Sequence, residues 1–249
     1  MKAPIHAAGT TALRLVFPPQ CLCCGARVED EGTLCPACWA ETPFITGLVC
    51  DACGTPLPGE GGHELCDECL ATPRPWSQGR AALVYGGPAR RLVLSLKHAD
   101  RLDLAPALAG WMMRAAAPLL VEGMIVAPVP LSRRRMLQRR ANQAAVLAGS
   151  MCRSPAGRAL QLNAVPDLLI RSRHTGSQDG LSREGRFANL AGAFALRDRH
   201  RAGIAGRPVL LVDDVMTSGA TLAACTSVCQ AAGSGPVSVI VLARVAKTT

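Results

Sequence analysis

The chain has 249 residues, 49% of them hydrophobic and 3% aromatic, with a formal net charge of +9. This length supports one ordinary domain plus a small one, and the apolar fraction is sufficient for a packed core. No apolar stretch reaches the roughly 18–20 residues of a membrane span; the N-terminus has one Lys and an interrupted apolar segment from Ala12 to Phe17, without the long apolar region or cleavage site of a secretory signal, so a cytoplasmic protein with no membrane span is expected.

Residues 1–20 read as a short amphipathic helix ending at Pro18-Pro19. The cysteine-rich stretch follows. Cys21-x-x-Cys24 is separated by ten residues from Cys35-x-x-Cys38, and Cys50-x-x-Cys53 by twelve from Cys66-x-x-Cys69. Two residues between thiolates let both bind one tetrahedral ion from a tight turn, and a second such turn completes four ligands. Gly25 and Gly54 follow the second Cys of their turns, where tight geometry favours glycine. The simplest pairing is sequential, with Cys21, Cys24, Cys35 and Cys38 on one ion and Cys50, Cys53, Cys66 and Cys69 on the other; an interleaved pairing stays open at this point. Four thiolates suit zinc, with iron as the alternative, and closed sites of this kind are structural. Two structural Zn²⁺ ions are expected to do much of the folding of so short a segment. Cys23 and His63 are rival ligands that fit the pattern less well. Cys152, Cys225 and Cys229 lie in apolar helical contexts and read as core.

Pro73-Arg74-Pro75 is a linker signal, dividing a metal-binding domain at 1–75 from a second domain at 80–249. Beyond it strands and helices alternate. Strands are expected at Ala81–Tyr85, Met124–Pro128, Leu168–Arg171, Val209–Val212 and Val237–Ala243. Helices are expected at Leu92–Leu96, Leu104–Leu120, Gln138–Met151 and Thr221–Ala232. This alternation predicts an α/β fold with a mostly parallel sheet flanked by helices, whose ligands bind beyond the strand C-termini. Arg residues crowd the region from 133 to 207, which favours anionic partners, although any one of them could equally lie on a solvated surface.

Three loops carry chemistry. Ile125-Val126-Ala127-Pro128-Val129-Pro130 ends a strand in a proline-shaped turn and leads to Ser132, Arg133, Arg134 and Arg135, a platform suited to pyrophosphate. Arg171 to Gln178, with Leu181, Arg186 and Asn189, is polar and rich in Gly and Ser, as a lid would be. The most informative stretch is Val209–Thr221. An apolar strand is closed by Asp213 and Asp214, and Thr217, Ser218, Gly219, Ala220 and Thr221 lead into an Ala-rich helix. Carboxylates at a strand end accept hydrogen bonds from a vicinal diol. Small residues at a helix N-terminus offer amides and the positive end of the dipole to a phosphate. Together they predict a ribose-5-phosphate pocket.

The Asp213–Thr221 segment resembles the phosphoribosyl-diphosphate (PRPP) signature of type I phosphoribosyltransferases. With the double zinc ribbon, Pro128-Val129-Pro130-Leu131, Arg139-Arg140-Ala141-Asn142-Gln143, the Arg171 to Leu181 pattern and the terminal Leu242-Ala243-Arg244, nearly the whole chain is similar to the ComF family, which includes ComFC and GntX proteins. The family's usual Arg-Gly-Phe-Asn-Gln is altered here to Arg139-Arg140-Ala141-Asn142-Gln143, which changes the packing of that turn. The resemblance implies a type I phosphoribosyltransferase fold and transfer of phosphoribosyl from PRPP, with Mg²⁺, to an unidentified nitrogen acceptor with release of pyrophosphate. It places Asp213 and Asp214 on the ribose hydroxyls as catalytic residues, Thr217 to Thr221 on the 5-phosphate, Ser132 and Arg133 on pyrophosphate, and Lys97 nearby. It also implies two other readings: a non-catalytic DNA-uptake factor that binds single-stranded DNA beside a competence helicase, and a regulator that senses PRPP without turnover. Against a broad stacking surface for DNA, the chain has eight aromatic residues: Phe17, Trp39, Phe44, Trp76, Tyr85, Trp111, Phe187 and Phe194.

Overall fold

A computed structural model describes residues 17–98, 101–131, 141–173, 185, 189–190 and 192–246. The helix expected in the first twenty residues lies outside them, apart from its end at Phe17 and the two prolines. Strands β1 (Gln78–Val84), β2 (Ile125–Pro128), β3 (Asn163–Ala164), β6 (Val209–Met216) and β7 (Val237–Arg244) form a five-stranded sheet in the order β1-β7-β6-β2-β3. Every pairing in it is parallel. Strands β4 (Leu169–Arg171) and β5 (Phe194–Leu196) make a separate antiparallel pair. The expected parallel α/β sheet is present, and β7, buried along all eight residues, has the continuous apolar character of a strand covered on both faces.

The helices that cover the sheet follow the apolar spacing of their sequences. In α3 (Gly87–His98), Ala89, Leu92, Val93 and Leu96 are buried at i, i+3, i+4 and i+7. In α4 (Ala105–Ala116), Leu108, Ala109, Met112 and Ala116 do the same. The helix expected over Leu104–Leu120 is divided into a 3-10 turn, α4 and a second 3-10 turn at Ala117–Leu119, where Pro118 has no amide to continue the ladder. The helix expected from Gln138 is described as α5 (Gln143–Arg153), because Asn142 caps it by accepting from the Ala144 amide at 3.1 Å. Helices α6 (Pro155–Ala159) and α7 (Arg201–Ile204) are short, and α8 (Ala220–Ala231) joins β6 to β7.

Side chains alternate between the faces of the two central strands. Leu210, Val212, Ile240 and Leu242 join one core with α3, α4 and α5, whereas Val209, Leu211, Val239 and Val241 join the other with α8 and the β4–β5 pair. The cysteine-rich segment contributes to both. Cys21, Cys35 and Cys38 pack into the first core, and Cys50, Cys53 and Cys69 into the second. The segment thus straddles the sheet at its β1 edge.

That edge is closed by main-chain pairing. The Ile45 amide donates to the Ala82 carbonyl at 3.0 Å, the Val84 amide to Pro43 at 2.9 Å and the Gly79 amide to Asp51 at 2.7 Å. Arg80 donates to the Asp51 carboxylate at 2.5 Å. Burial pushes the Asp51 carboxyl up, but hydrogen bonds from His63 and Arg80 outweigh it and hold the group below its ordinary value. An uncovered edge strand invites pairing with other chains; here the cysteine-rich segment occupies that position. Its approach is close enough that a Cβ on Gly79 would overlap the Ala52 carbonyl oxygen, and one on Gly54, at φ +71°, would come within 2.6 Å of the Ala81 nitrogen.

Gly79→Ala is therefore expected to cost about 1–3 kcal/mol, as overpacking does, read as a lowered urea midpoint. Gly110→Ala, in α4 with open space around its Cβ position, should be neutral or stabilising by about 0.4–1 kcal/mol. Equal effects at the two sites would refute the account of the β1 edge.

Candidate functional site

The eight predicted cysteines assemble as two separate sets. The Sγ atoms of Cys21, Cys24, Cys35 and Cys38 all lie within 4.8 Å of one another, and so do those of Cys50, Cys53, Cys66 and Cys69. This is the sequential pairing. The Cys24–Cys35 and Cys53–Cys66 sulfur separations are both 3.7 Å. A tetrahedron built on Zn–S bonds of about 2.3 Å has edges of about 3.8 Å, so these separations match those of a four-thiolate zinc site.

Each set is built the same way. The first turn closes when the Gly25 amide donates to the Cys21 carbonyl at 3.0 Å, and in the second set Gly54 donates to Cys50 at 2.8 Å. Both glycines have positive φ, +77° and +71°. The remaining cysteines begin two short helices, α1 (Pro36–Glu41) after Cys35 and α2 (Asp67–Ala71) after Cys66. Cys23 stays outside the first set. His63 is 89% exposed and pairs with Asp51 at 2.5 Å instead of joining the second. Cys225 and Cys229 are buried in α8 as expected of core residues, and burial pushes the Cys229 thiol up to about 12.

Strand β6 runs past the expected Val212 as far as Met216, because β7 continues beside it through the Asp213–Val241, Val215–Ala243 and Met216–Arg244 registers. The acidic pair therefore lies in the last turn-ward part of a strand, not after it, and is held by sheet hydrogen bonds. Asp213 accepts from the Asp214 amide at 2.9 Å. Lys97, at the end of α3, reaches the Asp214 carboxylate at 3.1 Å, with both side chains less than a fifth exposed. The structure thus brings Lys97 to the acidic pair.

The loop after β6 turns sharply into α8. Thr217 is exposed, Thr221 half-buried, and Ser218, Gly219 and Ala220 buried. Gly219 has φ +79°, and a Cβ there would come 3.0 Å from the Trp76 ring and 3.2 Å from the Arg74 guanidinium. The Ser218 hydroxyl accepts from the Ala220 amide at 3.4 Å; first-turn amides of a helix otherwise have no acceptor within it. The neighbouring loop emerges from β2, which pairs with β6 through Pro128 and Val212. Asn142 donates to the Val129 carbonyl at 3.0 Å and so ties the start of α5 to that loop. Ser132, Arg133 and Arg139 lie outside the described residues, as do residues 174–184 of the expected lid. The ends of that segment are held together, with the Ser172 amide donating to Ala193 at 3.0 Å and Arg173 to the Asn189 carbonyl at 3.1 Å.

Three side chains that sequence reasoning left without a role converge behind the loop. Arg74 donates to the Ser218 carbonyl at 2.6 Å, to Glu68 at 3.1 Å and to the Cys69 sulfur at 3.4 Å. Arg244 donates to the other Glu68 oxygen at 2.9 Å, to the Met216 carbonyl at 3.2 Å and to the Thr217 carbonyl. The linker reading of Pro73-Arg74-Pro75 missed this. A polar tripeptide with two prolines looks like a tether, whereas the Arg74 side chain is 1% exposed and Gln230 of α8 fixes the Pro75 carbonyl at 2.7 Å. The usable signal was Arg244, a cation ending an otherwise apolar buried strand, which requires partners.

The double zinc ribbon domain model matches residues 12–70. Competence protein F of Haemophilus influenzae is 28% identical over 214 residues, 83% of this chain and 88% of that protein. The DNA utilization protein YhgH of Escherichia coli strain K12 is 30% identical over 230 residues, 90% of this chain and 89% of that one. The chain belongs to the ComF/YhgH family. Among solved structures, this family member is similar to the allosteric regulatory enzyme of purine biosynthesis at TM-score 0.37 and 18% identity, over 60% of this chain but only 30% of that one. It is similar to Trypanosoma cruzi hypoxanthine phosphoribosyl transferase at TM-score 0.35 and 14% identity, over 59% of this chain and 66% of the other. Among the described residues no helix is long and apolar enough to cross a membrane.

Elemental analysis of the purified chain should give two zinc ions, with Cys24→Ser and Cys66→Ser each retaining one. Loss of both ions from either variant, in a chain that stays folded, would contradict two independent four-cysteine sites.

Proposed function

We propose that this chain binds PRPP with Mg²⁺ and transfers the phosphoribosyl group to a nitrogen acceptor. The observation that supports this most directly is the junction of β6 and α8, where Asp213 and Asp214, steadied by Lys97, stand beside a loop that turns through Gly219 into a helix N-terminus. The carboxylates would accept hydrogen bonds from the ribose 2- and 3-hydroxyls. The 217–221 loop would receive the 5-phosphate on its amides and on the Thr217 and Thr221 hydroxyls. Ser132 and Arg133 would face pyrophosphate. Mg²⁺ bound together with PRPP would supply charge neutralisation for the leaving pyrophosphate. In the reaction the bond from C1 to pyrophosphate breaks, the acceptor nitrogen bonds to C1, and the proton of that nitrogen passes to solvent. Oxocarbenium character develops at C1, so positioning and electrostatics carry most of the catalysis. In this proposal the chain divides into a ribbon unit at 1–75 and a transferase unit at 80–249.

Calorimetry should detect PRPP binding in the presence of Mg²⁺, and Asp213→Asn with Asp214→Asn should abolish it; an unchanged affinity in the double variant removes the site assignment. A pyrophosphate-release screen against nucleobases and other nitrogen acceptors then separates turnover from sensing, since silence across a wide panel with intact PRPP binding favours a regulator.

A second reading, single-stranded DNA binding, is favoured by one surface feature. Trp39 is 53% exposed. It packs at 4.6 Å on Phe44, which meets Trp111 edge-on at 5.1 Å, beside a cleft of about 610 Å³ that Arg114 also lines. One exposed ring backed by two others, next to a cation, is a stacking position for a base. Relatives named for DNA utilization and competence agree with this reading. Oligonucleotide affinity should fall steeply with salt and drop on Trp39→Ala by the about 1–3 kcal/mol of one stacked base. A flat salt titration would count against it.

A further inference from the structure

The second four-cysteine site and the loop after β6 are joined by a chain of charged side chains, two buried arginines and a half-buried Glu68. Arg74 spans the gap with three donors, to the Cys69 sulfur, to Glu68 and to the Ser218 carbonyl. Arg244 spans it again from the sheet, holding Glu68 on one side and the Met216 and Thr217 carbonyls on the other. Both guanidinium groups are at most 2% exposed. Three successive carbonyls, the last of β6, which also accepts from the Val245 amide, and the first two of the loop, therefore point inward to two cations. A trans peptide unit is planar, with its carbonyl and the next amide pointing in opposite directions, and the described chain has no cis bond. Holding the carbonyls of Met216, Thr217 and Ser218 inward turns the amides of Thr217, Ser218 and Gly219 the other way, as successive donors around an anion.

We infer that Arg74, Glu68 and Arg244 are positioning residues that hold the 217–219 amides in an anion-accepting arrangement, and that the second zinc site anchors them. The choice of anion rests on the function proposed above; the positioning itself does not. Cys69 and Glu68 both lie on α2, which begins at the Cys66–Cys69 turn, so the metal-binding turn sets where Glu68 and the Cys69 sulfur meet Arg74. The first four-cysteine set packs into the core on the opposite face of the sheet and has no part in this chain of contacts. Trp76 completes the support. Its ring lies under Arg74, 5.7 Å from the guanidinium carbon, and its indole N–H donates to the Ala52 carbonyl at 2.5 Å within the second ribbon. Binding at the loop and metal retention at Cys50, Cys53, Cys66 and Cys69 should then be linked in both directions.

The test uses the full-length chain with zinc bound. Arg74→Lys keeps the charge but loses the fork, and Glu68→Gln keeps the shape but weakens the ion pairs. In both variants, hydrogen exchange should accelerate by about tenfold or more across 216–220 and remain unchanged in β7 and α4, with PRPP affinity reduced by about tenfold or more, as expected for loss of a charged hydrogen bond. PRPP should slow chelator-driven zinc loss from one site of the wild type, and this protection should vanish in Arg74→Lys. Unchanged exchange at 216–220 in both zinc-loaded variants overturns the inference. If Arg74→Lys loses its zinc or unfolds, Glu68→Gln decides by the same exchange measurement. A wild-type chain that does not bind PRPP while both variants still loosen 216–220 removes the proposed ligand and leaves the positioning role in place.

Discussion

Two buried guanidinium groups, those of Arg74 and Arg244, occupy the space where the zinc ribbon, β6, β7 and α8 meet. A charge in that position is tolerated only when its donors are satisfied. All but the Arg244 Nε, which is buried without a hydrogen-bond partner among the described residues, are satisfied from three parts of the chain: Glu68 and Cys69 in the ribbon, the Met216–Ser218 carbonyls at and just after the end of β6, and Val245 beyond β7. Because each cation donates both to the ribbon and to the end of β6 or the loop after it, the two cations fix these elements relative to one another. Removing one partner from a buried ion pair costs about 3–5 kcal/mol, against about 0–1 kcal/mol for an exposed one.

The ribbon is also part of the sheet's structure. It covers the outer edge of β1 with main-chain hydrogen bonds and places one four-cysteine set in each of the two cores. A segment this short has little apolar core of its own, and metal binding supplies the folding free energy that burial alone would not. The ribbon in turn supplies what β1 lacks, a partner on its open side. Gly54 and Gly79 mark where the two backbones approach too closely for a Cβ.

The geometry of the loop after β6 draws on both arrangements. Asp213 and Asp214 gain their rigidity from the continued pairing of β6 with β7, and Asp214 from Lys97 at the end of α3. Gly219 is confined on one side by its left-handed backbone and on the other by Arg74 and Trp76, so that the helix N-terminus starts at a set place.

Much of this was legible in the residues themselves. The metal sites follow from local spacing, since two thiolates separated by two residues can share an ion whatever surrounds them. The parallel sheet follows from apolar runs alternating with helical periodicity, and the acidic loop from an unusual local composition at a strand end. These properties depend on neighbours along the chain. Other features depend on neighbours in space and have no local signature. The sequential pairing of the cysteines was one of two arrangements that spacing allowed, and packing on opposite faces of the sheet selected it. The extension of β6 through Asp213 and Asp214 was set by β7, a fully buried eight-residue strand that supplies the matching hydrogen bonds. Pro73-Arg74-Pro75 reads as a tether because proline and arginine are usually exposed; burial of Arg74 needed Glu68, Cys69 and Ser218 to converge from positions up to 144 residues away. Local chemistry, in short, specified which groups could bind a metal or a phosphate, and tertiary packing decided how the two sites are joined.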